Sequence, residues 1–229
     1  MERGIIYGVG VGPGDPEYMT LKAVRLIREN EIIAVPGKEP RESVAYKIAV
    51  AAVPELAEKT LVAVRMPMVR DRAELAAAHR AAAEQLEQYL ARGQNVVFLT
   101  LGDSTIYCTF SYIQHHLELD DFRVELVSGV TSFCAAAARL GVPLVEWEEP
   151  LHILPASHNA ETGLALPGNC VLMKSGSKMA EVKELLRRSG REVRMVENCC
   201  MEGERRFYSV DEIPDDAGYF SLIIAKEQE

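Results

Sequence analysis

Gly8, Gly10, Gly12 and Gly14 alternate with Val9, Val11 and Pro13 and run into Asp15-Pro16, directly behind the apolar run Ile5-Ile6-Tyr7. A glycine-rich turn between a strand and a helix lets backbone approach a bound molecule closely, and nucleotide sites open in this way. The spacing excludes the two commonest phosphate cradles. A dinucleotide fingerprint starting at Gly8 needs glycine at position 13 and one starting at Gly10 needs it at position 15, but these positions hold Pro13 and Asp15. The second strand, Glu31-Ile32-Ile33-Ala34-Val35-Pro36, ends without the carboxylate that would take a ribose hydroxyl. A P-loop fails as well, because Gly37-Lys38 is followed by Glu39 and Ile32 stands where its first glycine belongs. What remains is a loop stiffened by Pro13 with the negative Asp15 beside it, a setting that disfavours phosphate and suits a cation.

Two further segments have the same character: Leu101-Gly102-Asp103-Ser104-Thr105-Ile106-Tyr107 and Val127-Ser128-Gly129-Val130-Thr131-Ser132-Phe133. Each ends an apolar run in a small-residue turn, and Asp103, Ser104, Thr131 and Ser132 are placed to cap the helix that follows. Singly they read as ordinary caps. Three such turns at the carboxyl ends of strands define one ligand-facing edge of an α/β sheet. Arg65, Arg70 and Arg72 surround Met66-Pro67-Met68 at the exit of the third strand, where guanidinium forks suit carboxylates and a solvated basic loop is the equal alternative. Tyr107 sits nearer that edge than His115 and His116, which fall late on a helix and read as surface or packing residues. Adjacent Cys199-Cys200 has neither Cys-x-x-Cys spacing nor a nearby His, and reads as structural rather than as a metal or redox site.

The elements that must position these groups alternate. Strands are expected at 4–10, 31–35, 61–64 and 95–101, with helices at 20–30, 43–53 and 71–92, the last stopping at Gly93. Asn95-Val96-Val97-Phe98-Leu99-Thr100-Leu101 is almost wholly apolar, as for a strand covered on both faces of a parallel sheet. The N-terminal half is therefore expected to be a parallel, doubly wound α/β domain, ending near residue 118 at the polar hinge Glu118-Leu119-Asp120-Asp121. The second domain, 119–229, carries strands at 123–127, 151–156, 169–173, 191–197, 205–210 and 219–226. Its helices are expected at 131–140 and 178–188. Strands outnumbering helices there imply a mixed sheet with antiparallel pairs. A cleft between the two α/β domains is the expected ligand site.

The 229 residues suffice for a sizeable core, and 25 Lys and Arg against 34 Asp and Glu give a net charge of -9, which argues against a general nucleic-acid binder. Five cysteines without framework spacing suit a reducing cytosol. No apolar run is long enough to span a bilayer, and the glycine-rich turn comes too early for a signal peptide. A cytoplasmic enzyme or binding protein is expected, with no membrane partner.

Taken together, Gly8 to Ile27 (GVGVGPGDPEYMTLKAVRLI), Phe98 to Ile113 (FLTLGDSTIYCTFSYI) and Ser128 to Leu144 (SGVTSFCAAAARLGVPL) resemble the tetrapyrrole methylases in order and spacing. Ser43-Val44-Ala45, Met66-Pro67-Met68 and Leu151-His152-Ile153-Leu154-Pro155-Ala156 add to the likeness, which thins beyond about residue 156. Within that family the chain is most similar to the cobalamin-pathway branch that methylates carbon-20 of precorrin-2 or of its cobalt complex, cobalt-factor II. The resemblance implies two α/β domains, S-adenosylmethionine as methyl donor, a small-molecule tetrapyrrole as acceptor and a homodimer. It places Val11, Gly102, Asp103, Ser104, Thr105, Ile106, Thr131 and Ser132 at the cofactor, with Met173 and Met201 as more distant matches. It places Gly12, Pro13 and Asp15 near the substrate, to which Tyr107, Arg65 and Arg70 are added here. Family members often have proline where Ser104 stands.

The chemistry agrees with what the sequence lacks. A sulfonium methyl is already a strong electrophile and the meso carbon of a reduced tetrapyrrole is enamine-like, so in-line displacement needs alignment and a dry site. Neither a nucleophilic triad nor a protein-bound metal is required, and no catalytic residue is assigned. A sulfonium carries no phosphate, which fits a glycine loop with an aspartate and without a lysine. Two other readings stay open: a related methylase acting on another tetrapyrrole position or on a macromolecule, and a non-catalytic binding module on the same fold.

Overall fold

The computed structural model describes residues 2–67, 69 and 71–228, with Ser157 and Ser177 described by backbone alone. The chain forms two compact units, Met1–Thr131 and Ser132–Glu229. The first contains β1 (Ile5–Gly10), α1 (Leu21–Glu29), β2 (Ile32–Pro36), α2 (Val44–Ala52), β3 (Thr60–Val64), α3 (Arg72–Leu90), β4 (Val96–Thr100), α4 (Phe110–Leu119) and β5 (Arg123–Val127). Its five strands run in the order β3-β2-β4-β1-β5 and every pairing is parallel.

β4 shows why the sheet is covered twice. Val97 and Leu99 pack with Val9, Ile33 and Val35 against Ala23, Ile27 and Ala49 of α1 and α2. Val96 and Phe98 turn to the other face, against Ala83, Leu86, Phe110 and Ile113 of α3 and α4. Both sets are buried, so period-2 alternation delivers apolar groups to two cores and the strand reads as continuously apolar. Local signals set the helix ends. The Thr20 hydroxyl accepts from the Ala23 amide at 3.2 Å to start α1, and Asp71 accepts from the Glu74 amide at 2.8 Å to start α3.

The expected boundary at 118/119 does not divide the sheets. Arg123–Val127 pairs in parallel with Ile5–Val9, so β5 completes the first sheet; Glu118 and Leu119 end α4, and Asp120-Asp121 is the turn into β5. The second unit contains α5 (Ser132–Leu140), β6 (Leu151–Pro155), α6 (Ala156–Leu164), β7 (Asn169–Met173), α7 (Met179–Ser189), β8 (Glu192–Glu197), β9 (Arg205–Phe207) and β10 (Ser221–Lys226). The order is β6-β7-β10-β8-β9, with β6 and β7 parallel and the other three pairs antiparallel, a mixed sheet as expected. α6 escapes the sequence pattern because, among its described residues, those it buries are small, Ala156, Ala160 and Gly163, leaving no apolar stripe to read. Among the described residues no helix is long and apolar enough to cross a membrane.

Candidate functional site

In the first unit β1 and β4 are neighbours, but β1 leads into α1 on one face while β4 leads into α4 on the other. Loops leaving adjacent strands in opposite directions open a crevice at their carboxyl ends, where doubly wound folds bind ligands. The glycine-rich turn and the Gly102-Asp103 turn both emerge there. They are joined by an isolated antiparallel bridge, with the Gly12 amide donating to the Gly102 carbonyl at 3.1 Å and the Gly102 amide returning to Gly12 at 2.8 Å.

The turn after β5 closes on the same point. A Cβ placed on Gly10 would lie 2.5 Å from the Gly102 carbonyl oxygen and 2.8 Å from the Gly129 amide nitrogen, so three backbones meet where no side chain fits. Gly102 itself has φ of 73°, a left-handed conformation, and a Cβ on it would meet nothing within 4 Å. Backbone therefore faces open space on that side.

Asp103 holds this corner together. One carboxylate oxygen accepts from the Thr105 amide at 2.8 Å and the Thr105 hydroxyl at 2.5 Å, and the other accepts from the Gly129 amide at 2.9 Å. The side chain is buried. Neither Asp103 nor the buried Ser104 caps the next helix: Ser104 donates to the Val127 carbonyl at 3.1 Å, and α4 starts only at Phe110. Both side chains tie the β4 loop to the end of β5, so a ligand here would meet the backbone they position.

The remaining expected residues fall as follows. The Val11 side chain is fully buried in the core and its amide donates to Thr100 at 2.9 Å. Pro13 is buried, and Asp15 accepts from the Glu17 amide at 2.9 Å to cap a short 3-10 turn. Thr105 and Tyr107 are exposed and Ile106 half-buried; Tyr107 has φ of 46°, a strained backbone for a bulky residue. The Thr131 hydroxyl is buried without a hydrogen-bond partner, so it does not serve as the expected cap. Arg65 is exposed, while Arg70 and Met68 lie outside the described residues. Ser132, Met173 and Met201 belong to the second unit. There Met173 ends β7 and Met201 follows β8, and since both strands run antiparallel to β10 the two emerge on one edge of that sheet. His115 is exposed, consistent with a surface role.

Sequence reasoning missed Gly10 as the point of backbone contact and Gly129 as the donor to Asp103. The available signal was a glycine ending β1 and a glycine two residues beyond the end of β4 and of β5.

This corner is a crevice lined by converging backbone, open to a bound molecule on the Gly102 side. Its donors and acceptors are backbone and small hydroxyls, and an unpartnered buried hydroxyl at Thr131 is left for a bound group to satisfy. The tetrapyrrole (corrin/porphyrin) methylase family matches residues 5–214. The chain belongs to this family. It is 33% identical over 225 residues to a probable cobalt-precorrin-2 C(20)-methyltransferase of Methanocaldococcus jannaschii, covering 96% of this chain and 95% of that one. It is 30% identical to the cobalt-precorrin-2 C(20)-methyltransferase of Salmonella typhimurium, covering 99% and 98% of the two chains. The precorrin-2 C(20)-methyltransferase of a Sinorhizobium species is also 30% identical, with 96% and 94% covered. Among solved structures, the Thermus thermophilus uroporphyrin-III C-methyltransferase bound to S-adenosylhomocysteine superposes with a TM-score of 0.72 at 23% identity, over 98% of each chain. A cobalt-precorrin-4 methyltransferase superposes with a TM-score of 0.73 at 18% identity, over 97% of this chain and 94% of that one. These two likenesses establish the tetrapyrrole-methylase fold.

Proposed function

We infer that this methylase transfers the methyl group of S-adenosylmethionine to carbon-20 of precorrin-2 or its cobalt complex, in cobalamin biosynthesis. The observation that carries this reading is the near full-length match, at 30–33% identity, to three enzymes named for that position. S-adenosylmethionine, when bound, supplies a sulfonium methyl activated for displacement. The chain's part is to bind, orient and exclude water.

The backbone of Val11 and of Gly102-Asp103, with Ser104, Thr105, Ile106, Thr131, Ser132, Met173 and Met201, is proposed to hold the donor. Asp103 acts by fixing the loops, and Thr131 offers its unpartnered hydroxyl. Gly12, Pro13, Asp15, Tyr107, Arg65 and Arg70 are proposed to face the acceptor, the arginines toward its carboxylates. A cytosolic homodimer is proposed, the location from five cysteine thiols with no disulfide and the dimer from the family.

The test is anaerobic incubation of the protein with S-adenosylmethionine and, in parallel, precorrin-2 and cobalt-factor II, following mass and visible spectrum. Gain of one methyl group at carbon-20 supports the reading, and the faster acceptor identifies the physiological form. Donor binding without methylation of either macrocycle overturns the carbon-20 assignment and points to another acceptor.

A further inference from the structure

Beyond β8 the second unit gathers three metal-ligating side chains that the methyl transfer does not use. Adjacent residues of an extended chain point to opposite sides, so neighbouring cysteines do not ordinarily meet. Here Asn198 and Cys200 take left-handed backbone conformations, with φ of 50° and 60°. The chain turns so tightly that the sulfurs of Cys199 and Cys200 lie 3.6 Å apart. The Met201 amide closes the turn on the Asn198 carbonyl at 2.9 Å.

Glu204 supplies a third donor. Its carboxylate oxygen and the two sulfurs all lie within 4.8 Å of one another. The carboxylate is aimed: the Cys200 amide donates to it at 2.8 Å, Arg139 Nε reaches both oxygens at 3.0 and 3.1 Å, and Arg206 pairs with it at 2.6 Å.

The spacing suits one kind of ion. Two thiolates each about 2.3 Å from a tetrahedral zinc ion sit about 3.8 Å apart, close to the separation seen here. Arg139 and Arg206 already offset Glu204, so a divalent cation balances the charge of the thiolate pair. Thiolate donors select thiophilic ions over magnesium or calcium. We propose that Cys199, Cys200 and Glu204 form a binding site for a thiophilic divalent cation of the zinc class, with a fourth position open to water. The site is distinct from any metal carried inside a macrocycle. Ligation releases the two thiol protons, and burial, with the adjacent Cys200, pushes the Cys199 thiol up. Binding therefore tightens as pH rises.

The pair is invisible to Cys-x-x-Cys reasoning, because its third ligand is a carboxylate four residues beyond Cys200. The test uses the intact, reduced protein with Cys134, an exposed thiol, replaced by serine to remove a competing ligand. Zinc is titrated against a chromophoric chelator, and cadmium is used to read the sulfur-to-metal charge-transfer band. One equivalent bound, with that band and release of protons, is expected. Cys200→Gly suits the left-handed backbone and so preserves the fold, and it should weaken zinc binding by at least about tenfold, or 1.4 kcal/mol. Substoichiometric binding, absence of the band, or unchanged affinity in Cys200→Gly would overturn the site. Unchanged affinity in Glu204→Gln would remove the third ligand and the site as drawn.

Discussion

Asp103 accepts the Gly129 amide at 2.9 Å, and this bond ties the loop after β4 to the loop after β5 across 26 residues of chain. The other oxygen of the same carboxylate holds Thr105. A residue that resembles a family cofactor contact is thus committed within the chain, and its influence on a ligand passes through the loops it sets. Hydrogen bonds to a buried carboxylate are worth more than neutral ones, and losing the acceptor leaves the donors unpaired.

Asp103→Ala should therefore lower stability by about 2–4 kcal/mol and weaken S-adenosylmethionine binding together. Asp103→Asn, which keeps one acceptor oxygen, should lose less of both. Thermal unfolding and titration calorimetry on the two variants check the coupling. Lost affinity with wild-type stability would instead make Asp103 a direct ligand.

Gly10 and Gly102 should respond differently to the same added methyl. A Cβ at Gly10 meets backbone on three sides, including the Asp103 Cα at 3.0 Å, so Gly10→Ala must push the strand ends apart and should cost about 1–3 kcal/mol or more. At Gly102 the added atom meets open space, and the cost is that of holding alanine at φ of 73°, about 1–2 kcal/mol. Gly102→Ala should weaken donor binding more than its stability loss explains, because the methyl enters the proposed binding face. Equal loss of donor affinity in both variants would argue that neither face is special.

Much of this arrangement is legible in the sequence, and the exceptions have physical causes. β4 and β7 are readable because burial on both faces confines polar residues to one end of each, Thr100 and Asn169, and α1 and α3 because Thr20 and Asp71 cap them. The expected boundary fails because β5 carries the charged Arg123 and Glu125 and follows a polar turn, while its sheet is decided by partners in β1 more than a hundred residues earlier. α6 carries no stripe, since Gly163 and the alanines let it pack closely against Leu154. At the candidate site the three turns were readable one by one. The bond from Asp103 to Gly129 is tertiary, and the convergence of Cys199, Cys200 and Glu204 depends on a local turn through left-handed Asn198 and Cys200; spacing encodes neither.

The Thr131 hydroxyl separates binding from folding. It is buried without a partner, so replacing it with a methyl of similar size removes an unsatisfied polar atom. Thr131→Val should leave the melting temperature unchanged or slightly raised. If a bound donor satisfies the hydroxyl, affinity for S-adenosylmethionine should fall about fivefold to tenfold, equivalent to roughly 1–1.4 kcal/mol. Calorimetry alongside thermal unfolding reads both. Unchanged affinity would withdraw Thr131 from the proposed contacts.

Glu204 should shape the acid limb of stability. Burial pushes its carboxyl up, but Arg139, the Cys200 amide and Arg206 together outweigh this and hold it below the usual glutamate range. A carboxyl depressed in the folded state contributes stability that is fully present above its unfolded value, about 4.3. That contribution is lost as pH falls through the lower, folded value. Glu204→Gln should therefore be less stable near neutral pH, by roughly 1–2 kcal/mol, and should show a shallower decline below about pH 4.3. For a chain of this size each kcal/mol corresponds to about 2–4 °C in melting temperature, so scans from neutral pH to pH 3 resolve the difference. Parallel acid limbs in the two proteins would mean that the Arg139 and Arg206 pairings do not hold the carboxyl down in solution.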